Sequence, residues 1–231
     1  MTGQPMENTK LPVWDVPTRV FHWSLVTLVA VAWATTESDS GFVFQIHLLA
    51  GYLVLGLIIF RLIWGFVGTR YARFREFVRP WSTVRDYTKR LMSLRPPHSI
   101  GHNPLGGWMI VLLLVCIAGI VVTGLFGGEA RSGQLEQAGP LAHYLSTAVA
   151  SDLKEIHEAL FNILLVLVGI HVAGIITDIV LTRDNLIRAM ITGFKSVPAN
   201  SASEAAAAAP VVRATAAILV AAAITLLIVS L

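Results

Sequence analysis

Charge is what this sequence has least of. Charged residues fill 13% of its 231 positions, about half the ~25% of an ordinary soluble domain. Cysteine is scarcer still. Cys116 stands alone inside an apolar run, which excludes an intrachain disulfide and any cysteine-based metal cluster. Its expected role is that of a small buried hydrophobe. The basic excess is only +3, and because those residues flank apolar runs it points to no nucleic-acid partner. Residues 1–13 are polar and lack the early apolar region of a signal peptide. A rival reading takes the AWA at Ala32–Ala34 as a signal-peptidase site, but Trp14, Asp15 and Arg19 make an elaborate lead-in for a segment that would be discarded.

What is present is hydrophobic. Such residues make up 55% of the chain, the mean hydropathy is +0.70, and together they indicate an all-α, polytopic membrane protein. Five apolar runs are long enough to cross a bilayer as helices: 20–36, 42–67, 108–126, one beginning at Asp152, and 211–231. Asp152 with Glu155 three positions on reads as a capping box that starts the fourth span. The chain divides into a cytoplasmic lead-in (1–19), a transmembrane domain (20–195), an Ala/Ser/Pro-rich linker (196–210) and a carboxyl-terminal transmembrane helix (211–231). Before the linker, TRDNLIRAMITGFK reads as an amphipathic, basic piece at the membrane surface.

Basic residues set the orientation. Arg70, Arg73, Arg75, Arg79, Arg85, Lys89, Arg90 and Arg95 crowd the segment before the third span, whereas the loop 127–151 has only Arg131. The positive-inside rule places the amino terminus and the basic segment in the cytoplasm and the carboxyl terminus outside.

Four histidines fall inside or at the ends of these spans, where an ionisable side chain is costly and faces a partner rather than lipid. His157 and His171 are fourteen residues apart, an interval that returns a helix to within ~40° of the same face after ~21 Å. His22 opens the first span near the inner side, and His47 opens the second near the outer side. By depth His47 matches His157 and His22 matches His171, giving two bis-imidazole sites. Zinc would lack its usual third and fourth protein ligands there. Haem takes two axial ligands and its flat ring fits between helices, and a bis-histidine iron has no open position, which favours electron transfer. The competing reading makes the histidines hydrogen-bonded bundle residues of a haem-free membrane anchor or assembly subunit.

The neighbours fit a ring. Gly51, Gly169 and Gly174 flank the histidines, and Gly119 and Gly124 interrupt the third span, although glycine is common in membrane helices. Arg61 stands fourteen residues after His47, near the inner level. It either meets an anion such as a haem propionate or snorkels to the inner surface.

VWDVPTRVFHW at 13–23, FRLIWGFVG at 60–68 with YARF after it, GHNPLGGW at 101–108, EIHEAL, HVAG and NLIRAMITG resemble the bacterial di-haem cytochrome b561 family. That family is similar to the b-type cytochrome subunits of nickel-iron hydrogenases and to the membrane subunit of formate dehydrogenases. The resemblance covers about 13–195 and implies a four-helix transmembrane bundle holding two haems b, with His22 and His171 on the inner haem and His47 and His157 on the outer. The fifth helix departs from that pattern.

The resemblance further implies electron transfer across the bacterial inner membrane, between the quinone pool and a periplasmic redox protein, a hydrogenase-like enzyme or a c-type cytochrome. A stand-alone superoxide:quinone oxidoreductase is the variant, and self-association into a homo-oligomer stays open. The quinone site of the relatives lies beside the segment before the third span, which puts His102 and Asn103 near a quinone here. Equally, Asn103, Pro104 and the glycines simply turn the chain into the third helix. His98 and His143 are expected to be solvent-exposed and are given no role.

Overall fold

The computed structural model describes residues 8–36, 40–131, 134–198 and 209–231. Most of the expected turn at 37–41 and most of the linker therefore lie outside the described residues. In chain order the elements are β1 (Asn8–Pro12), α1 (Val16–Ala34), α2 (Gly41–Val67), α3 (Phe74–Phe77), α4 (Trp81–Met92), α5 (Pro104–Phe126), β2 (Glu129–Arg131), β3 (Gln134–Glu136), α6 (Thr147–Thr182), α7 (Leu186–Thr192), β4 (Phe194–Pro198) and α8 (Val211–Val229). Five of them, α1, α2, α5, α6 and α8, are long and apolar enough to cross a membrane. The chain is thus a helical, multi-pass membrane protein.

Three helices begin earlier than hydropathy alone suggests, each at a side-chain cap. Asp15 Oδ1 accepts from Thr18 N at 2.7 Å and starts α1 at Val16. Asn103 Oδ1 accepts from Gly106 N at 2.7 Å, with Pro104 at the first helical position, where its missing N–H costs nothing. Ser146 Oγ accepts from Val149 N at 3.4 Å, so α6 opens at Thr147. This corrects the capping-box reading, because Asp152 lies inside the helix. The Ser146 hydroxyl, six residues before Asp152, already satisfies one of the orphan N–H groups of the first turn.

The helices form two compact units. The first comprises Met1–Val20, Trp64–Val111 and Gly169–Ala214. Here β1 pairs antiparallel with β4, Asn8 opposite Pro198 and Pro12 opposite Phe194, so residues 196–198, expected to begin a linker, end a strand. Val13 N and Trp14 N donate to Gly193 O at 2.9 and 3.1 Å, and Arg19 Nη1 donates to Ile191 O at 2.6 Å. Gly193 sits at φ 88° as the left-handed stop of α7, where a side chain would be strained. Leu11, Val13, Trp14, Tyr71, Ala189 and Val197 form a buried cluster under this pairing. Asp15 ties the unit together: its Oδ2 accepts from Trp64 Nε1 at 3.1 Å and from Thr69 Oγ1 at 2.5 Å. Lys195, expected at the surface, is buried instead, donating to Asp184 Oδ2 at 3.0 Å and to the Ser99 carbonyl.

The second unit comprises Phe21–Ile63, Leu112–Val168 and Thr215–Leu231. Segments of α1, α2, α5, α6 and α8 compose it. α8 buries Ala217 and Ala221, and Gly56 of α2 lets Thr225 approach so closely that an added Cβ would lie 3.2 Å from its Oγ1. Such small-residue contacts drive helix packing where no hydrophobic force between helices exists. Tyr144 Oη donates to Leu231 O at 2.9 Å, tying the last residue of the chain to the loop between α5 and α6.

Asp15→Ala is expected to destabilise the protein by about 2 kcal/mol or more, since it removes a helix cap and strands two donors. Thermal unfolding in detergent micelles checks this, and Asp15→Asn should fall between the two.

Candidate functional site

The second unit contains a cavity of about 680 Å³ among α1, α2, α5 and α6, with His47 and His157 on its wall. That volume lies within the ~300–1,000 Å³ of cofactor sites. The two imidazole centroids are 6.2 Å apart, with ring planes at 66°. His47 Nδ1 lies 3.0 Å from Ala32 O, and His157 Nδ1 lies 2.8 Å from Ile120 O. A carbonyl oxygen only accepts, so each Nδ1 carries the proton and each Nε2 keeps its lone pair. Thr35 Oγ1 and Thr123 Oγ1 stand 3.4 Å from the same two Nδ1 atoms. Phe44 stacks near His47 at 8° and 6.3 Å.

Glycine shapes this site at one decisive position. A Cβ on Gly124 would lie 2.9 Å from His157 Cε1 and 3.0 Å from its Nδ1, so the imidazole is seated against bare backbone of α5. Gly51 is on the cavity wall as well.

The other expected residues are placed as follows. His22 belongs to the second unit, half-buried, its ring 4.9 Å from that of Trp23. Arg61, in the same unit, is only 3% exposed, so it does not snorkel; its guanidinium lies 6.0 Å from the Phe21 ring centroid. His171 belongs to the first unit and is half-buried. The positions beside it, Gly169 and Gly174, have open space where a Cβ would be. The structure brings His47 and His157 together. His22 and His171 fall in different units.

In the first unit, His102 is held between Trp14 at 4.3 Å and Phe77 at 5.1 Å. Gly107 makes room for this arrangement, since a Cβ there would meet Phe77 O at 2.2 Å. Asn103 caps α5 with its oxygen and donates its Nδ2 to Asp178 Oδ2 at 2.7 Å. Thr182 Oγ1 donates to Asp178 Oδ1 at 3.0 Å. Sequence reasoning passed over Asp178, although a carboxylate seven residues after His171 in an apolar helix was itself a signal. His98 is exposed, as expected, with Nδ1 3.4 Å from Asp184 Oδ2. His143 is exposed too and bonds Pro140 O.

Comparison with known proteins gives the family. Residues 13–193 match the family described as prokaryotic cytochrome b561. The chain belongs to that family. Among curated proteins it is similar to a probable Ni/Fe-hydrogenase B-type cytochrome subunit of Rhizobium leguminosarum bv. viciae, 24% identical over 216 residues, covering 81% of this chain and 90% of the relative. A probable Ni/Fe-hydrogenase 1 B-type cytochrome subunit of Escherichia coli K12 is 24% identical over 215 residues (80% and 90%), and a probable Ni/Fe-hydrogenase B-type cytochrome subunit of Azotobacter vinelandii 26% over 220 (82% and 90%). No solved structure matches. The family match ends before α8.

Membership makes the chain a b-type cytochrome, and the cavity lined by His47 and His157 fits the haem b that this implies. Two imidazoles each ~2.0–2.1 Å from one metal through nitrogen have centroids ~6 Å apart, the spacing found for His47 and His157. Both have the second ring nitrogen tied to a backbone carbonyl, as ligating histidines do.

One measurement checks this site and another the packing of the first unit. Gly124→Ala should push His157 aside and lower haem content per chain, read as Soret absorbance against protein, whereas Gly41→Ala, with nothing within 4 Å of the added Cβ, should leave it unchanged. In the first unit, burial and then the adjacent Asp178 carboxylate push the Tyr87 hydroxyl up to about 12. The folded state holds that proton more tightly, so the stability it contributes is complete below pH ~10 and is lost as pH rises toward about 12. Tyr87→Phe should flatten that alkaline loss and remove one late-titrating phenol from the ultraviolet titration.

Proposed function

We propose that this cytochrome carries electrons across the bacterial inner membrane through two bis-histidine haems b, between the quinone pool and a periplasmic redox protein. His47 and His157 hold the outer haem, and His22 and His171 the inner one. The observation that carries the reading is the outer pair: two imidazoles 6.2 Å apart across a cavity, each with its lone pair free by virtue of a carbonyl on the far nitrogen. Haem b bound there would supply a one-electron ferric/ferrous couple. The protein's part is to fix the ligand tautomers, to keep the pocket dry and to set the distance between the redox centres.

The curated relatives are hydrogenase cytochrome subunits by name, which supports a hydrogenase-like enzyme as the periplasmic partner ahead of a c-type cytochrome. The basic segment between α2 and α5 supports a cytoplasmic location for the amino terminus and a periplasmic one for the carboxyl terminus. Quinone is assigned to the neighbourhood of His102 and Asn103. A titratable ring and an amide bonded to a carboxylate stand there one residue apart, the groups that proton-coupled quinone chemistry requires. Arg61, buried at 3% exposure, is assigned to a propionate of the inner haem.

A pyridine haemochrome spectrum of purified protein should give two haems b per chain, and His47→Ala or His157→Ala should each remove one while leaving the other. Equal loss of both from either variant would count against separate sites. Asn103→Ser, which keeps a capping oxygen but loses the amide donor, should slow haem reduction by quinol severalfold with both haems retained; an unchanged rate would move the quinone elsewhere.

A further inference from the structure

The outer cavity carries a feature that its axial pair does not explain. Among its described lining residues Lys154 is the only lysine or arginine. A cation on the wall of a membrane cavity is costly unless an anion faces it. Lys154 precedes His157 by three residues on α6, so both side chains leave the helix on one face. Its Nζ lies 2.7 Å from Glu158 Oε1, with 38% of the side chain exposed, which puts the ammonium at the mouth rather than the floor.

The backbone of that turn is clamped. Gly127 lies so close that a Cβ on it would be 3.2 Å from Lys154 N and 3.3 Å from its Cα, and Gly128 N donates to Ala150 O at 3.1 Å. The other charged groups on the cavity wall are Glu129 and Glu158. A haem b has two propionates on one edge. Set beside two carboxylates, that edge needs a cation, and Lys154 is the one the wall provides.

We infer that Lys154 binds a propionate of the outer haem, exchanging its Glu158 partner for the propionate carboxylate. The inference rests on the reading that His47 and His157 hold that haem. The ammonium then acts twice. It anchors the ring edge by a charge-assisted hydrogen bond, and by offsetting the negative charge of the propionate it favours the reduced state and raises the potential of this haem.

The test uses the full chain in nanodiscs, with Lys154→Met, Lys154→Arg and Glu158→Gln. Two readouts are taken apart from turnover: the rate at which the outer haem passes to apomyoglobin, and its midpoint potential by spectroelectrochemistry, with the inner haem as the folding control in each variant. Lys154→Met should lose the outer haem about tenfold faster and titrate at a lower potential. Lys154→Arg should restore both, and Glu158→Gln, by freeing the ammonium, should raise the potential. Wild-type haem retention and potential in Lys154→Met would overturn the inference while leaving the axial pair standing. A wild-type protein with no haem that His157→Ala removes would overturn the axial assignment and this inference with it.

Discussion

An imidazole in hydrocarbon has to satisfy two nitrogens, and here the backbone takes one of them. The carbonyls of Ala32 on α1 and Ile120 on α5 hold the protonated nitrogens of His47 and His157, so two rings from α2 and α6 present bare lone pairs to one cavity. Each carbonyl is shared with a neighbouring hydroxyl, Thr35 Oγ1 donating to Ala32 O at 2.8 Å and Thr123 Oγ1 to Ile120 O at 3.0 Å. The site therefore needs four helices at fixed rotation and height, because the ligands come from two of them and the groups that set the tautomers from the other two. A slip of one residue along α1 or α5, ~100° of rotation, would leave an imidazole unpaired and its tautomer undetermined.

That dependence explains where glycine sits. Gly124 is bare because His157 fills the space a methyl would occupy, and Gly139 is bare because Gly124 O lies only 2.1 Å from where its Cβ would stand. The loop after α5 thus folds back on the end of the helix that seats the ligand. Leu141 N completes this return by donating to Leu125 O at 2.9 Å. Loop and helix end form one layer, and Gly127, Gly128 and Gly139 bring its backbone to the cavity wall.

Much of this was legible in the residues. Hydropathy located all five spans to within a few positions at most ends, since long apolar runs bounded by charge leave little choice. The order and direction of the spans put His47 and His157 at one level, because each stands near the start of a helix that enters from the same side. Caps were harder to read: Asp15, Asn103 and Ser146 start helices whose first turn is not yet apolar, so a hydropathy window overlooks them. The carbonyl partners of the histidines carry no sequence signal at all, as every residue has a carbonyl. The pairing of residues 8–12 with 194–198 is equally hidden, because short polar strands have no period strong enough to announce a partner more than 180 residues away.

That pairing has a consequence for the order in which the molecule is made. The amino-terminal strand leaves the ribosome first, and its partner strand emerges only after α6 and α7 have been synthesised. Until then β1 has no ladder, and Val13 and Trp14 have no Gly193 carbonyl to bond. The first unit therefore cannot close during translation of its own beginning; it closes as a late clasp, drawn shut once four membrane crossings are in place, and a chain truncated before residue 194 would be left with its opening strand unmatched.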